Sequence, residues 1–194
     1  MSITSAKTGA TGISLALENN FMEPIASVLV GAGQTSIVEF LDIPQNYKHL
    51  QLRTIAQITN TSGFGGSGGF GIRYNSDTST NYTRHFLGGN GSGVNIVNTP
   101  NVGGGAIERF PYDQSNTNIP GIAITDILDY ASFSKFKTTK NLGGIELNSA
   151  STDAQAVLNS FLWRSTDPIS SITLSTAPFF FKQHSRFSLY GIKG

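Results

Sequence analysis

Short apolar or alternating runs recur from Pro24 onward, separated by clusters of Gly, Asn, Ser and Pro. They read PIASVLVG, TSIVEFLDI, HLQLRTIAQIT, FGIRYN, NYTRHFLGG, IPGIAITDILDY, KFKTTKNLGG, AVLNSFLWRS, SSITLST and RFSLYGI. Period-two alternation punctuated by turn residues predicts an all-β sandwich or barrel. The third run shows the period most plainly. Leu50, Leu52, Thr54, Ala56 and Ile58 share one face, read as core, while Gln51, Arg53, Ile55 and Gln57 share a largely wet one. Helical spacing competes only in TDILDYASFSKF, where Ile127, Leu128 and Ala131 line one face. The β-branched residues before it and the lack of long-chain helix formers predict a strand leading into a loop.

So many runs exceed the ~5 or 6 strands of an average sheet and predict two stacked sheets with inward apolar faces. A jelly roll is the expected architecture. Residues 24–194 are expected to form this single β-sandwich domain. Gly88 to Pro120, rich in Gly and Asn, reads as one or two extended surface loops. Residues 1–23 lack alternation and turn chemistry, which predicts an N-terminal arm that orders on a partner, with Ile13, Leu15, Leu17 and Phe21 as its apolar anchors. The alternative for this stretch is a frayed terminus.

At 194 residues one core suffices, because a domain of this size buries roughly 70% of its unfolded surface. The net charge of +1, with only 13% charged residues, argues against a nucleic-acid or membrane-surface partner, which calls for a basic stripe. A surface of Ser, Thr, Asn, Gln and Gly must replace the charges, and such a surface packs against neighbours at little desolvation cost. The absence of cysteine excludes a disulfide framework, a thiolate metal site and a cysteine nucleophile. No apolar run has signal-peptide or membrane-span length, so synthesis in a cytoplasm as a soluble chain is expected.

Catalytic and cofactor motifs fail on context. SGFGGSGGFG, Ser62 to Gly71, contains Gly-x-Gly-x-x-Gly twice, but IRYN follows and reads as strand where a phosphate cradle needs a helix. A flexible loop between strands is the expected reading. NSDTSTN places Asn75, Asp77, Ser79 and Asn81 like the start of a calcium loop, yet Phe86 stands where the bidentate Glu belongs. A turn whose Asn and Asp side chains bond their own backbone is expected instead. His49, His85 and His184 have no partner at metal-ligand spacing. Asp126 and Asp129 lack an evident partner carboxylate, which would have to come from Glu39, Glu108 or Glu146. No catalytic, cofactor or metal residue is therefore assigned, and the chain is expected not to be an enzyme.

The aromatic residues say more. In APFFFKQHSRFSLYGI, alternation places Phe179 and Phe181 on one face and Phe180 on the other. With Phe179 and Phe181 in the core, Phe180 becomes an exposed side chain or a subunit contact. Trp163, beside Arg164, reads as a core residue, with stacking on a sugar as the alternative.

GISLALENNFMEPI, IPQNYKHLQLR, IRYNSDTSTNYTRHFLGG, ITDILDYASFSKFKTTKNLGG, SFLWRSTDPISSITL and FSLYGIKG resemble small structural proteins encoded by tailed bacteriophages, including those infecting cyanobacteria and marine bacteria. The resemblance runs from about Gly12 to Gly194 and is one of wording along strands, with no catalytic motif. It implies a jelly-roll sandwich on the virion surface, usually trimeric, of decoration or tail-fibre type. Two roles follow as expectations. In the first, the chain is a decoration or cement protein bound to the major capsid protein or another virion protein. In the second, it is a tail-fibre or spike adhesin binding a host surface polysaccharide. Size favours the first, since no heptad stretch or β-helix period supplies a shaft.

Overall fold

The computed structural model describes residues 21–59, 67–111, 119–146 and 154–194. These residues form β-strands and connections, with no helix among them. The first seven strands are β1 (Met22–Leu29), β2 (Ile37–Phe40), β3 (His49–Ala56), β4 (Ile58–Thr59), β5 (Ser67–Tyr74), β6 (Tyr82–Gly89) and β7 (Val94–Val102). The remaining strands are β8 (Gly105–Pro111), β9 (Gly121–Ile127), β10 (Lys137–Ile145), β11 (Gln155–Trp163), β12 (Ile172–Ser175), β13 (Phe180–Phe181) and β14 (Arg186–Ile192).

Two antiparallel sheets carry the fold. The larger runs β1-β14-β3-β9-β10-β11-β6-β7 and the smaller β2-β12-β5-β8, while β13 and β4 make a short two-stranded patch. All-β, two-sheet architecture is thus the structure of this chain. Side chains from both sheets share one core. Phe70 of β5 meets Phe187 of β14 edge-on at 6.0 Å, and Phe110 and Phe181 join them. At the other end of the sandwich Tyr74 packs on Phe161 and Trp163, with Tyr82 stacked on the indole. Tilted and edge-to-face rings of this kind add specificity to the area they bury.

The alternation in β3 holds where it matters. Leu50, Leu52, Thr54, Ala56 and Ile58 are buried, and Arg53 and Ile55 are exposed. Gln57, expected on the wet side, is buried at the strand's end, where its carbonyl accepts from the Lys182 backbone N–H. Ile127 ends β9 and the chain turns at once, so TDILDYASFSKF is strand then loop. That loop closes on a buried cation. Lys137 donates from Nζ to the carbonyls of Ser132 and Lys135 at 2.7 Å and of Thr166 at 3.1 Å.

Three expectations are corrected. Gly88 to Pro120 is not simply loop: its described residues carry β7 and β8, paired to β6 and β5. Strand β7 lies at a sheet edge with nearly every side chain exposed, so no burial period marks it. The second half of the glycine stretch is strand, since Ser67 to Gly71 belong to β5, while its first half lies outside the described residues. Gly69 sits at a bulge where a Cβ would come within 2.8 Å of the Ile107 carbonyl oxygen, so close backbone approach accounts for a glycine there. Met22 and Glu23, assigned to the arm, are part of β1 and pair with Ile192 and Gly191.

Candidate assembly surface

The larger sheet has an inner face on the core and an outer face open to solvent. Midway along β9, β10 and β11 the inner face carries one polar row, flanked by buried apolar residues such as Ala123, Ile127, Val157 and Phe161. Thr125, Asn141 and Asn159 point inward in one cross-strand row and are buried. They satisfy one another: Asn159 Nδ2 donates to Asn141 Oδ1 at 3.1 Å, and Asn141 Nδ2 donates to Thr125 Oγ1 at 2.8 Å. Beside them the Tyr74 hydroxyl and Thr139 Oγ1 share a 2.6 Å bond. Buried polar groups are tolerated when paired in this way.

The outer face carries hydrocarbon as well. Ile124, Leu142, Leu158, Leu87 and Ile96 are direct neighbours in register across five consecutive strands. Each is between 45% and 75% exposed. A second row runs parallel, Ile122, Gly144, Ala156, Gly89 and Val94, and continues onto Ile55 of β3. The two rows make a ridge of branched side chains beside a trough floored by small residues. Part of that trough is an apolar depression of about 480 Å³ lined by Ile122, Ile124, Leu142, Gly144 and Ala156 among others. A third row, Asp126, Lys140, Ser160, His85 and Asn98, is polar. Toward β14 the hydrocarbon stops at Arg53, whose guanidinium lies over the Tyr190 ring at 5.0 Å.

Eight branched side chains at these exposures present roughly 800 Å² on one face, above the ~300–600 Å² of the largest patch on an ordinary monomer. Exposed apolar patches of that size generally mark interaction surfaces. Sequence reading missed it because Ile55 was assigned to a wet face by its polar neighbours. The available signal was that IPGIAITDIL and AVLNSFLW place large apolar residues on both phases of the strand, the mark of a sheet covered on both sides.

The residues singled out from sequence fall elsewhere. Trp163 is buried, its ring stacked on Tyr82 and met edge-on by Tyr74, so sugar stacking on it is overturned. Its indole Nε1 donates to Asp77 Oδ2 at 2.7 Å. Asp77 also accepts from the Ser79 backbone N–H at 2.9 Å, from the Ser79 hydroxyl and from Asn81 Nδ2 at 3.1 Å. Burial pushes its pKa up, but these donors outweigh it and bring the carboxyl down to about 2. NSDTSTN is thus a self-bonded turn that anchors the core tryptophan. Phe180 is half exposed beside the buried Phe181, and Phe179 packs partly against the core. Phe21 is exposed, with its carbonyl accepting from the Lys193 N–H. Ile13, Leu15 and Leu17 lie outside the described residues.

Asp126 and Asp129, considered for chemistry, have structural partners. Asp126 accepts from Gln51 Nε2 at 2.8 Å. Asp129 pairs with Lys135 at 2.7 Å and Lys48 at 3.5 Å, and its pKa is lowered chiefly by the Lys135 hydrogen bond. His49 accepts from the Asp129 backbone N–H through Nδ1 at 2.9 Å. Among the described residues no three of His, Asp and Glu converge as metal ligands would. No protein-family model, curated protein or solved structure matches the chain.

Proposed function

We propose that the chain is a non-enzymatic structural protein of a bacteriophage virion, an oligomeric decoration or cement protein held on the outer shell by protein contacts. The single observation behind this mode of action is the two-row apolar field on the outer face of the larger sheet. A protein that works through contact surfaces requires such a field, whereas chemistry requires a convergent site. The phage setting rests on the sequence resemblance. The adhesin alternative loses its proposed sugar contact with the burial of Trp163 and has no specific observation in its favour.

The test is to locate the protein on purified virions with a gold-labelled antibody against the folded body. Label distributed over the head supports a decoration role. Label confined to the tail makes the chain an adhesin candidate, and virions without label overturn the proposal.

A further inference from the structure

We infer that the outer face of the larger sheet is closed by a second copy of the same chain, in a two-fold, face-to-face stack whose axis runs across the strands between the two apolar rows. This rests on the reading of the chain as an oligomeric structural protein and names the partner that its apolar face takes first.

The geometry follows from the register. An axis lying in the contact plane and crossing the strands sets each strand over its own counterpart, antiparallel, and exchanges the rows. Leu142 of one copy then lies over Gly144 of the other, Leu158 over Ala156 and Leu87 over Gly89. The three leucines of the ridge fill the trough of small residues, and the symmetry repeats this in reverse. Flanking them, Ile124 meets Ile122 and Ile96 meets Val94. A self-complementary patch of this sort is what an isologous interface requires, and stacked sheets lie ~10 Å apart, close enough for ridge and trough to interdigitate.

One pair of charges obeys the same operation, while Arg53, in register with the ridge, falls over Ile55 of the other copy at the edge of the contact. Lys140 is two residues outside the ridge on β10, and Glu146 is two residues outside the trough on the same phase of the chain. Both are exposed, and among the described residues neither has an ion-pair partner within the chain. The axis that places Leu142 over Gly144 places Lys140 over Glu146, twice per pair of copies. The area is also suited: roughly 800 Å² per copy matches the ~800 Å² per partner of a standard stable interface. A face docked instead on an unrelated shell protein has no reason for ridge, trough and opposite charges to be related by one axis within a single chain.

The test is sedimentation of the full chain over a concentration series, with thermal melts to establish that each variant is folded. Wild type should be a dimer. Leu158→Glu should raise the dimer dissociation constant by about a hundredfold or more, since a charge is forced into the buried centre. Lys140→Glu and Glu146→Lys should each weaken it about tenfold, while the double exchange K140E/E146K should return it to within about threefold of wild type. A wild-type chain that stays monomeric, a trimer indifferent to Leu158→Glu, or a double exchange no better than its single members overturns the inference. A monomer that dimerises only after removal of residues 1–20 overturns it too, since that segment then occupies the face. Leu158→Glu that abolishes binding to shells while wild type is monomeric overturns the second-copy assignment and leaves the proposed function standing. Label absent from virions removes the proposed function and leaves the sedimentation result intact.

Discussion

Replacing Asp77 by alanine removes the carboxylate that holds the tryptophan end of the core to the NSDTSTN turn. The indole N–H of Trp163, buried with its ring, then has no acceptor; a buried donor left unpaired costs about 1–3 kcal/mol. The carboxylate adds a pH-dependent part. Its folded pKa of about 2 lies below the unfolded value of 3.8, so this contribution is fully present above pH ~4 and is lost as the pH falls toward 2. The whole shift corresponds to at most ~2.5 kcal/mol, and partial solvent access reduces this to about 1 kcal/mol. Asp77→Ala should therefore cost about 2–3 kcal/mol at pH 7, and the difference from wild type should shrink by about 0.7 kcal/mol near pH 2.5. Urea unfolding of both proteins at the two pH values, followed by Trp163 fluorescence, measures this directly. A cost at pH 7 below about 0.5 kcal/mol, the level of an ordinary surface change, would refute the anchoring role. A cost that is the same at both pH values would refute the charged hydrogen bonds as its source.

Other outcomes follow from the same structure. Trp163→Ala should cost about 3–5 kcal/mol in urea unfolding, as expected for a truncated core aromatic; a loss below 1 kcal/mol would contradict its burial between Tyr74 and Tyr82. Lys137→Met should destabilise by about 2–3 kcal/mol, because three carbonyls lose one charged donor. Its loss should also show as faster amide exchange at Leu128 and Ser132, whose backbone N–H groups are bonded within that loop. Removing residues 1–20 should leave the melting temperature within a few degrees of the full chain, since β1 begins at Met22, while docking onto virions is lost; undiminished docking in a virion-binding assay would end the arm idea.

The strands that could be read from sequence are those with one wet face and one dry face. Strand β3 shows this in Leu50, Leu52 and Ala56 against Gln51 and Arg53, and β12 and β14 follow it closely enough to be found. Strand β7 could not be read because Val94, Ile96 and Val97 are all exposed, leaving no alternation to detect. Strand β8 was hidden by the glycines before it and by Arg109, which adopts φ 67 where regular strand has negative φ. The assembly surface was legible in part, since the large apolar residues on both phases of β9 and β11 are visible in the sequence. What makes them a surface is the cross-strand register of Leu142, Leu158 and Leu87, a long-range fact that no local window contains.

The inward row of Thr125, Asn141 and Asn159 bears on how this chain finds its fold at all. In β10 a slip of one position against β9 and β11 would carry Leu142 inward and Asn141 outward, but also Lys140 inward and Ile145 outward, so burial gives this strand little preference between the two alignments. Phe161 and Trp163 tell β11 which side is its inside, but water-avoidance does not tell β10. The directional bonds from Asn159 to Asn141 and from Asn141 to Thr125 do, because they close only in one alignment. The amide row works as a key cut into an otherwise greasy lock, and Asn141→Leu should yield a protein that retains its strands but loses its single alignment, visible as peak doubling in an amide NMR spectrum.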